Sequence, residues 1–413
     1  MSNSLSPTTP GQRIEILDTL RGFAIFGILM VNMLWMNAPV GYAFLGESYW
    51  TSASDKIGEF LIYFLFDGKF YVLFSMLFGY GFWLFLQKPS SEGKSVVPTF
   101  VWRLTILIAF GALHVLLLWP GDILFFYGIF GLILILFRKK KDKSLIKWAI
   151  GILLFPIILT TLLSLFMFLG MQDPASKEAI ESAMAQQKSE TLALVQQALQ
   201  TYANGSFSEI VQIRLKEYSL ILPGVFFFYP NVLAMFLVGQ YAARKRLLVN
   251  THENKGFFKK GLLLGIAIGL PVSLVYAWLS LTIPADEMSA AAVLVLILRG
   301  FGSPLLTIGY VSGIVLMIHS GVFEKLTKGF AYVGRMALSN YLMHSIIAAF
   351  LFHSYGLGLF GKVNIWQGIA LTFIIIAVQI PLSKFWLERF NFGPFEWLWR
   401  TLTYRKWQSF KKE

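Results

Sequence analysis

The most explicit acid–base chemistry in this sequence belongs to His114 and Asp122. His114 lies in Gly111-Ala-Leu-His114, near the end of an apolar run, and Asp122 follows across Trp119-Pro-Gly-Asp122. An imidazole beside a carboxylate can take or give a proton near neutral pH. The same pair also reads as a neutral histidine hydrogen-bonded between helices, and the spacing leaves both readings open. A second constellation opens the chain. Asp18 and Arg21 stand at the mouth of an apolar helix, three residues apart and so on one face, where they can pair. Asn32 follows eleven residues after Arg21 and brings an amide to a depth where polar groups need partners.

Further polar groups fall inside apolar stretches. Asp67 and Lys69 flank Gly68, either to bind an anionic group or to satisfy one another where a helix breaks. Arg299 lies in Leu298-Arg-Gly-Phe-Gly-Ser-Pro304, where a broken helix would add backbone amides to an anion site. The other reading is a helix end with the arginine reaching for water. Asn340 and His344 are four apart and share a face, a spacing common in interhelical hydrogen bonding. Neither a metal-ligand motif nor a glycine-rich nucleotide loop occurs, so no metal is expected. Without cysteine, disulfide and thiolate chemistry are excluded.

The elements that position these groups are membrane helices. Hydrophobic residues make up 56% of the 413 residues and charged residues 14%, against about 25% in soluble proteins. Apolar runs of roughly 20 residues recur along the chain. The expectation is an all-α, polytopic helical bundle with about ten spans: 19–37, 57–86 (broken at 66–69), 101–118, 123–137, 146–170, 219–242, 260–282, 290–319 (interrupted at 299–304), 331–352 and 365–386. Residues 1–12 read as a disordered tail, 13–170 and 218–390 as two transmembrane bundles, and 391–413 as a basic, aromatic interfacial tail. Lys88 to Lys94 read as a polar loop. The polar insertion 171–217 holds two helices. Asp173-Pro174 starts the first, Asn204-Gly205 ends it, and Ser206 with Glu209 forms a capping box for the second.

The net charge of +13 reflects the bias of basic residues to the cytoplasmic side rather than nucleic-acid binding. Of the 35 lysines and arginines, 27 fall in segments on the side of the amino terminus and 7 on the other, with Arg299 left between. That split orients both termini inward and puts 171–217 outside. The lipid bilayer and a small-molecule substrate are the expected partners. Gly79-Tyr-Gly81 fits either a homodimer contact or internal packing.

Four motifs together, Ile16-Leu-Asp18-Thr-Leu-Arg21-Gly22 running on to Asn32, Trp119-Pro-Gly-Asp122, Gly334-Arg-Met-Ala-Leu-Ser-Asn340-Tyr and Gly393-Pro-Phe-Glu396-Trp-Leu-Trp399-Arg400-Thr-Leu-Thr-Tyr404, resemble the YeiB-like bacterial membrane proteins, which carry the domain of unknown function numbered 418. The resemblance covers nearly the whole chain and marks Glu396, Trp399 and Arg400 as family-motif residues. It implies a multi-pass protein of the bacterial cytoplasmic (inner) membrane, for which transport has been suggested. More distantly, the Leu-Arg-Gly opening is similar to that of the transmembrane acyltransferases, among them heparan-glucosaminide N-acetyltransferase and the family-three enzymes. In the latter an arginine is followed, after ten residues, by a histidine. Asn32 stands here instead, as in the glucosaminide enzyme, and no histidine lies between Asn32 and Arg103 to match that enzyme's active residue. This resemblance implies acyl transfer from a cytosolic acyl-CoA such as acetyl-CoA. Arg21, Arg103 and other inner basic residues would hold the donor, and His114 with Asp122 would activate an acceptor outside. The alternative expectation is a small-molecule transporter with an anion site at the broken eighth span around Arg299.

Overall fold

A computed structural model describes residues 14–45, 48–88, 95–283 and 289–412. The expected tail 1–12 and most of the polar loop 88–94 lie outside the described residues. The chain folds into helices α1 (Glu15–Met36), α2 (Tyr42–Leu45), α3 (Ala53–Leu65), α4 (Lys69–Leu86), α5 (Val97–Leu117), α6 (Leu124–Leu134), α7 (Asp142–Gly170), α8 (Pro174–Asn204), α9 (Phe207–Ile221), α10 (Val225–Arg244), α11 (Lys255–Leu264), α12 (Leu270–Thr282), α13 (Ala290–Ser320), α14 (Glu324–Arg335), α15 (Ala337–Phe352), α16 (Ile365–Arg389) and α17 (Pro394–Tyr404). Among the described residues there is no β-strand, only a bridge between Phe390 and Lys411. Eight segments are long and apolar enough to cross a bilayer, with α3 and α4 counted as one, α9 with α10, and α11 with α12. Two shorter apolar segments, Leu124–Phe137 and Ala337–Phe352, fall where the fourth and ninth spans were expected.

α1 is the axle of the bundle. Its apolar window is 72% buried, whereas that of α7 is 11% buried, so α1 meets protein on all sides and α7 presents its side chains outward. α1 packs against α4, α14, α15 and α16. The crossing with α14 is closer than side chains allow. A Cβ on Gly22 would stand 1.9 Å from the Phe330 carbonyl oxygen, and one on Gly334 would stand 1.8 Å from that of Asp18. The glycines of two separate motifs thus meet face to face, letting backbones touch as small residues do between membrane helices. Gly79 of α4 and Gly239 of α10 meet in the same way, with the Phe236 and Met76 carbonyls in the place of a Cβ. Gly79 is therefore used inside the protomer.

Breaks and caps follow the local chemistry. Gly68 has φ +83° and separates α3 from α4 at the expected place. α8 starts on the Asp173 side chain, which accepts from the Ser176 N–H, and ends at Asn204. Ser206 and Glu209 form the capping box of α9. The interruption expected at 299–304 does not occur: α13 runs unbroken through Arg299 and Pro304. Only one intrahelical bond is lost at a proline, and Thr307 Oγ1 donates to the Ser303 carbonyl at 2.7 Å in the turn that follows. The ninth expected span is not one helix from 331. α14 stops at Arg335, the backbone turns at Met336 (φ −113°, ψ 35°), and α15 begins anew.

The α8–α9 hairpin is fastened to one end of the bundle. Arg214 donates to the Leu116 carbonyl at 2.6 Å, and Glu217 accepts from the Val40 N–H at 3.1 Å and from the Tyr202 hydroxyl at 2.6 Å. The opposite end carries Lys88, Arg103, Arg138, Arg244, Arg335 and α17. These are the α8 end and the basic end.

Candidate functional site

One face of α1 runs through two cavities. Arg21, Ile25 and Ile28 line a cavity of about 630 Å³ toward the basic end. Ile28, Val31, Asn32 and Trp35 line a second, of about 210 Å³, toward the α8 end. The steps of three and four residues keep all six on one stripe of a helix. Ile28, Ile123 and Tyr341 belong to both cavities and form the neck between them. From Arg21 to Asn32, eleven residues at the rise of an α-helix span about 16 Å.

The basic-end cavity has a cationic mouth and an apolar depth. Arg21, Lys88, Arg103, Arg335 and Arg400 line it together with Ile25, Leu77, Phe78, Leu107 and Leu124. Arg21 is held by Asp18 at 2.7 Å. The Arg103 guanidinium lies 3.5 Å from the centre of the Trp399 ring, and the Trp399 indole N–H donates to the Arg103 carbonyl at 3.0 Å. Arg400 sits over Phe392. Burial pushes the pKa of Lys88 and of Arg400 down, the direction for cations crowded away from water, and an anion between them reverses it. Glu396, Arg400 and Tyr404, at steps of four, put one face of α17 on this cavity. Glu396 also caps α15, whose own start has no side-chain cap. Its carboxylate accepts from the backbone N–H of Leu338 (2.7 Å) and Ser339 (3.0 Å) and from the Ser339 hydroxyl (2.5 Å). The carboxylate of the carboxy-terminal motif is thus committed to fixing α15 beside the cavity.

In the second cavity Asn32 is half-buried and makes no hydrogen bond with the described residues. Arg299 and Asp67 line it as an ion pair at 3.1 Å, and the Tyr276 hydroxyl donates to the other Asp67 oxygen at 2.5 Å. Asp67 therefore pairs across to α13 and not with Lys69. Lys69 is fully buried, donates to the Tyr63 carbonyl at 2.7 Å and lines neither cavity.

His114 and Asp122 do meet, with Nδ1 2.8 Å from the carboxylate. The other ring nitrogen is 2.8 Å from the Ser345 hydroxyl, giving a serine–histidine–aspartate chain. The histidine and aspartate side chains are both 0% exposed, so the chain is closed to a substrate in this conformation. Asp122 also accepts from the Phe125 N–H at 2.7 Å, starting α6. The chain holds the turn Gly121–Ile123, which forms the neck and one wall of the second cavity. Asn340 and His344 lie elsewhere. Asn340 donates to Ser383 at 3.1 Å and His344 pairs with Gln379 at 2.9 Å, a ladder tying α15 to α16.

Sequence reasoning missed Ser345, Tyr341, Trp35, Arg335 and Tyr404. The steps 21, 25, 28, 32, 35 on α1 and 396, 400, 404 on α17 carried the signal for Trp35 and Tyr404. Arg335 and Tyr341 lie in the Gly334–Tyr341 motif, which marked them without a role, and nothing local marks Ser345.

Residues 242–406 match the family described as Protein of unknown function (DUF418). The chain is 34% identical over 428 residues to the uncharacterized protein YxaH of Bacillus subtilis (strain 168), covering 100% of this chain and 99% of that one. It is 30% identical over 422 residues to the uncharacterized protein YeiB of Escherichia coli (strain K12), covering 95% and 97%. No solved structure matches.

Proposed function

The chain belongs to the DUF418 family, and on that premise we propose that it is a multi-pass acyltransferase of the bacterial cytoplasmic membrane. It takes its acyl group from an acyl-CoA in the basic-end cavity and passes it to an acceptor in the α8-end cavity. One observation carries this reading: a single face of α1 presents Arg21 to the cationic cavity and, about 16 Å along the same stripe, Asn32 to the other. A donor with phosphates at one end and a thioester at the other end of a long arm fits that polarity. The cations Arg21, Lys88, Arg103, Arg335 and Arg400 take the phosphates. The apolar residues beyond them take the arm, and the neck at Ile28, Ile123 and Tyr341 receives the thioester. By the charge rule the basic end is cytoplasmic, where acyl-CoA is found.

In the transfer, an acceptor oxygen or nitrogen forms a bond to the thioester carbonyl carbon and the carbon–sulfur bond breaks. The acceptor's proton goes to the departing thiolate, which leaves as the free thiol. The Asn32 amide donates to the carbonyl oxygen as negative charge builds there. His114, Asp122 and Ser345 act as positioning residues that hold the neck.

The test uses purified protein in sealed vesicles with acetyl-CoA supplied on the basic side. Free thiol released in step with acetylation of an added amine or alcohol on the far side supports the reading. Movement of intact solute without thiol release replaces it with a carrier.

A further inference from the structure

The α8-end cavity contains more hydrogen-bond donors than the protein uses. Arg299 offers five N–H groups. Its one described acceptor is Asp67, reached from Nη2, and Nε is buried with no acceptor. The side chain is 31% exposed and lines the cavity. Asp67 has little to give a ligand, since its two oxygens take Arg299 and Tyr276. On the lining of the same cavity Asn32 brings a second unanswered set of donors, and Trp35, Tyr71, Phe228 and Tyr229 supply aromatic walls. The guanidinium carbon lies 5.7 Å from the centre of the Phe228 ring, within cation–π range. A guanidinium whose Nη1 has no acceptor among the described residues, oriented by a carboxylate bound at Nη2, suits an anion.

We propose that the α8-end cavity is a subsite for a small ligand bearing a carboxylate or phosphate group, bound by Arg299 and Asn32. Its role as the acceptor's subsite rests on the acyl-transfer reading; the anion site itself does not. The acceptor then belongs to the hydroxy acids, amino acids or phosphorylated polyols rather than to neutral sugars, with the anionic group at Arg299 and the reacting hydroxyl or amine at the Asn32 side. The continuous α13 supplies the site through this side chain and not through freed backbone amides.

The experiment measures thermal stabilisation of the full-length protein in detergent by three probes, glycerate, glycerol 3-phosphate and glycerol, and separately by coenzyme A. Two variants are compared with wild type: Asp67→Asn/Arg299→Gln, which removes the ion pair without leaving a lone charge, and Arg21→Gln/Arg400→Gln at the basic end. Stabilisation by glycerate or by glycerol 3-phosphate but not by glycerol is expected, and which anion acts separates the two sources. The shift disappears in the Asp67→Asn/Arg299→Gln variant while the coenzyme A shift stays. The Arg21→Gln/Arg400→Gln variant shows the reverse. Where the first variant does not fold, Asn32→Leu stands in and reduces the small-anion shift at least threefold. Equal shifts from glycerol and its charged analogues, or small-anion shifts lost only with Arg21 and Arg400, overturn the proposal. Loss of the coenzyme A response alone overturns the donor reading and leaves the anion subsite standing.

Discussion

Asn32 presents an amide with donors and an acceptor to a cavity where no described side chain answers it. Such a group inside a membrane bundle costs stability unless something fills the role, so a ligand is the natural partner. Asn32→Leu roughly keeps the size, does not weaken the helix and loses the amide. Its acetyl-transfer rate should fall about 10²–10³-fold, the effect of one oxyanion donor, with acetyl-CoA affinity unchanged; rate and equilibrium binding on one preparation check this. His114 behaves differently. Its two nitrogens are used by Asp122 and Ser345 and its side chain is sealed. His114→Phe leaves a buried carboxylate without its partner, which costs about 3–5 kcal/mol. The melting temperature should drop while acetyl-CoA binding survives in the folded fraction. A fall in turnover with no change in melting would instead make His114 a catalytic group.

The residues that could meet were partly legible from spacing. Asp18 with Arg21, and Asn340 with His344, sit on shared faces because three and four residues make a helical turn. His114 with Asp122 needed a turn of known length, which Pro120 and Gly121 provide. Ser345, Arg335 and Tyr341 were not legible, because their proximity is decided by how distant helices cross.

Elements obey the same division. The Asp173 start, the Ser206–Glu209 capping box and the Gly68 break are local chemistry, and the structure places them where the residues indicate. The expected break in α13 failed because a proline within a long apolar helix removes a single intrahelical hydrogen bond, here the one to the Gly300 carbonyl, and packing keeps the helix continuous. The α14–α15 break was hidden for the opposite reason: its cap, Glu396, comes from about sixty residues later. Glu396→Gln keeps the shape but weakens the acceptor, and should destabilise the start of α15 by about 1–2 kcal/mol. Faster amide exchange at Leu338 and Ser339 would report it. The α1–α14 crossing tolerates less. Gly334→Leu would drive a side chain into the Asp18 carbonyl, so the variant should fail to accumulate as folded protein, measured by size-exclusion chromatography.

For the whole molecule, the all-helical class and the central position of α1 follow from hydropathy and from the polar groups α1 carries; against the ten expected spans, eight segments among the described residues are long and apolar enough to cross a bilayer. The paired cavities do not follow, since a cavity is what packing leaves over. The charge split supplies an orientation that can be tested cleanly, because the chain has no cysteine. Single cysteines at Lys188 of α8 and at Lys406 beyond α17 should label with a membrane-impermeant maleimide only from the periplasmic and only from the cytoplasmic side, respectively. The donor site at the basic end is tested by calorimetric binding of acetyl-CoA to the purified full chain and to Arg21→Ala, Arg400→Ala and Asn32→Ala. Wild type should bind saturably, and the two arginine variants should bind about 10–100-fold more weakly, as loss of a charge-assisted contact gives. Asn32→Ala should bind as wild type. Absence of binding to wild type, or binding that ignores both arginines, would rule out a donor site at Arg21 and Arg400.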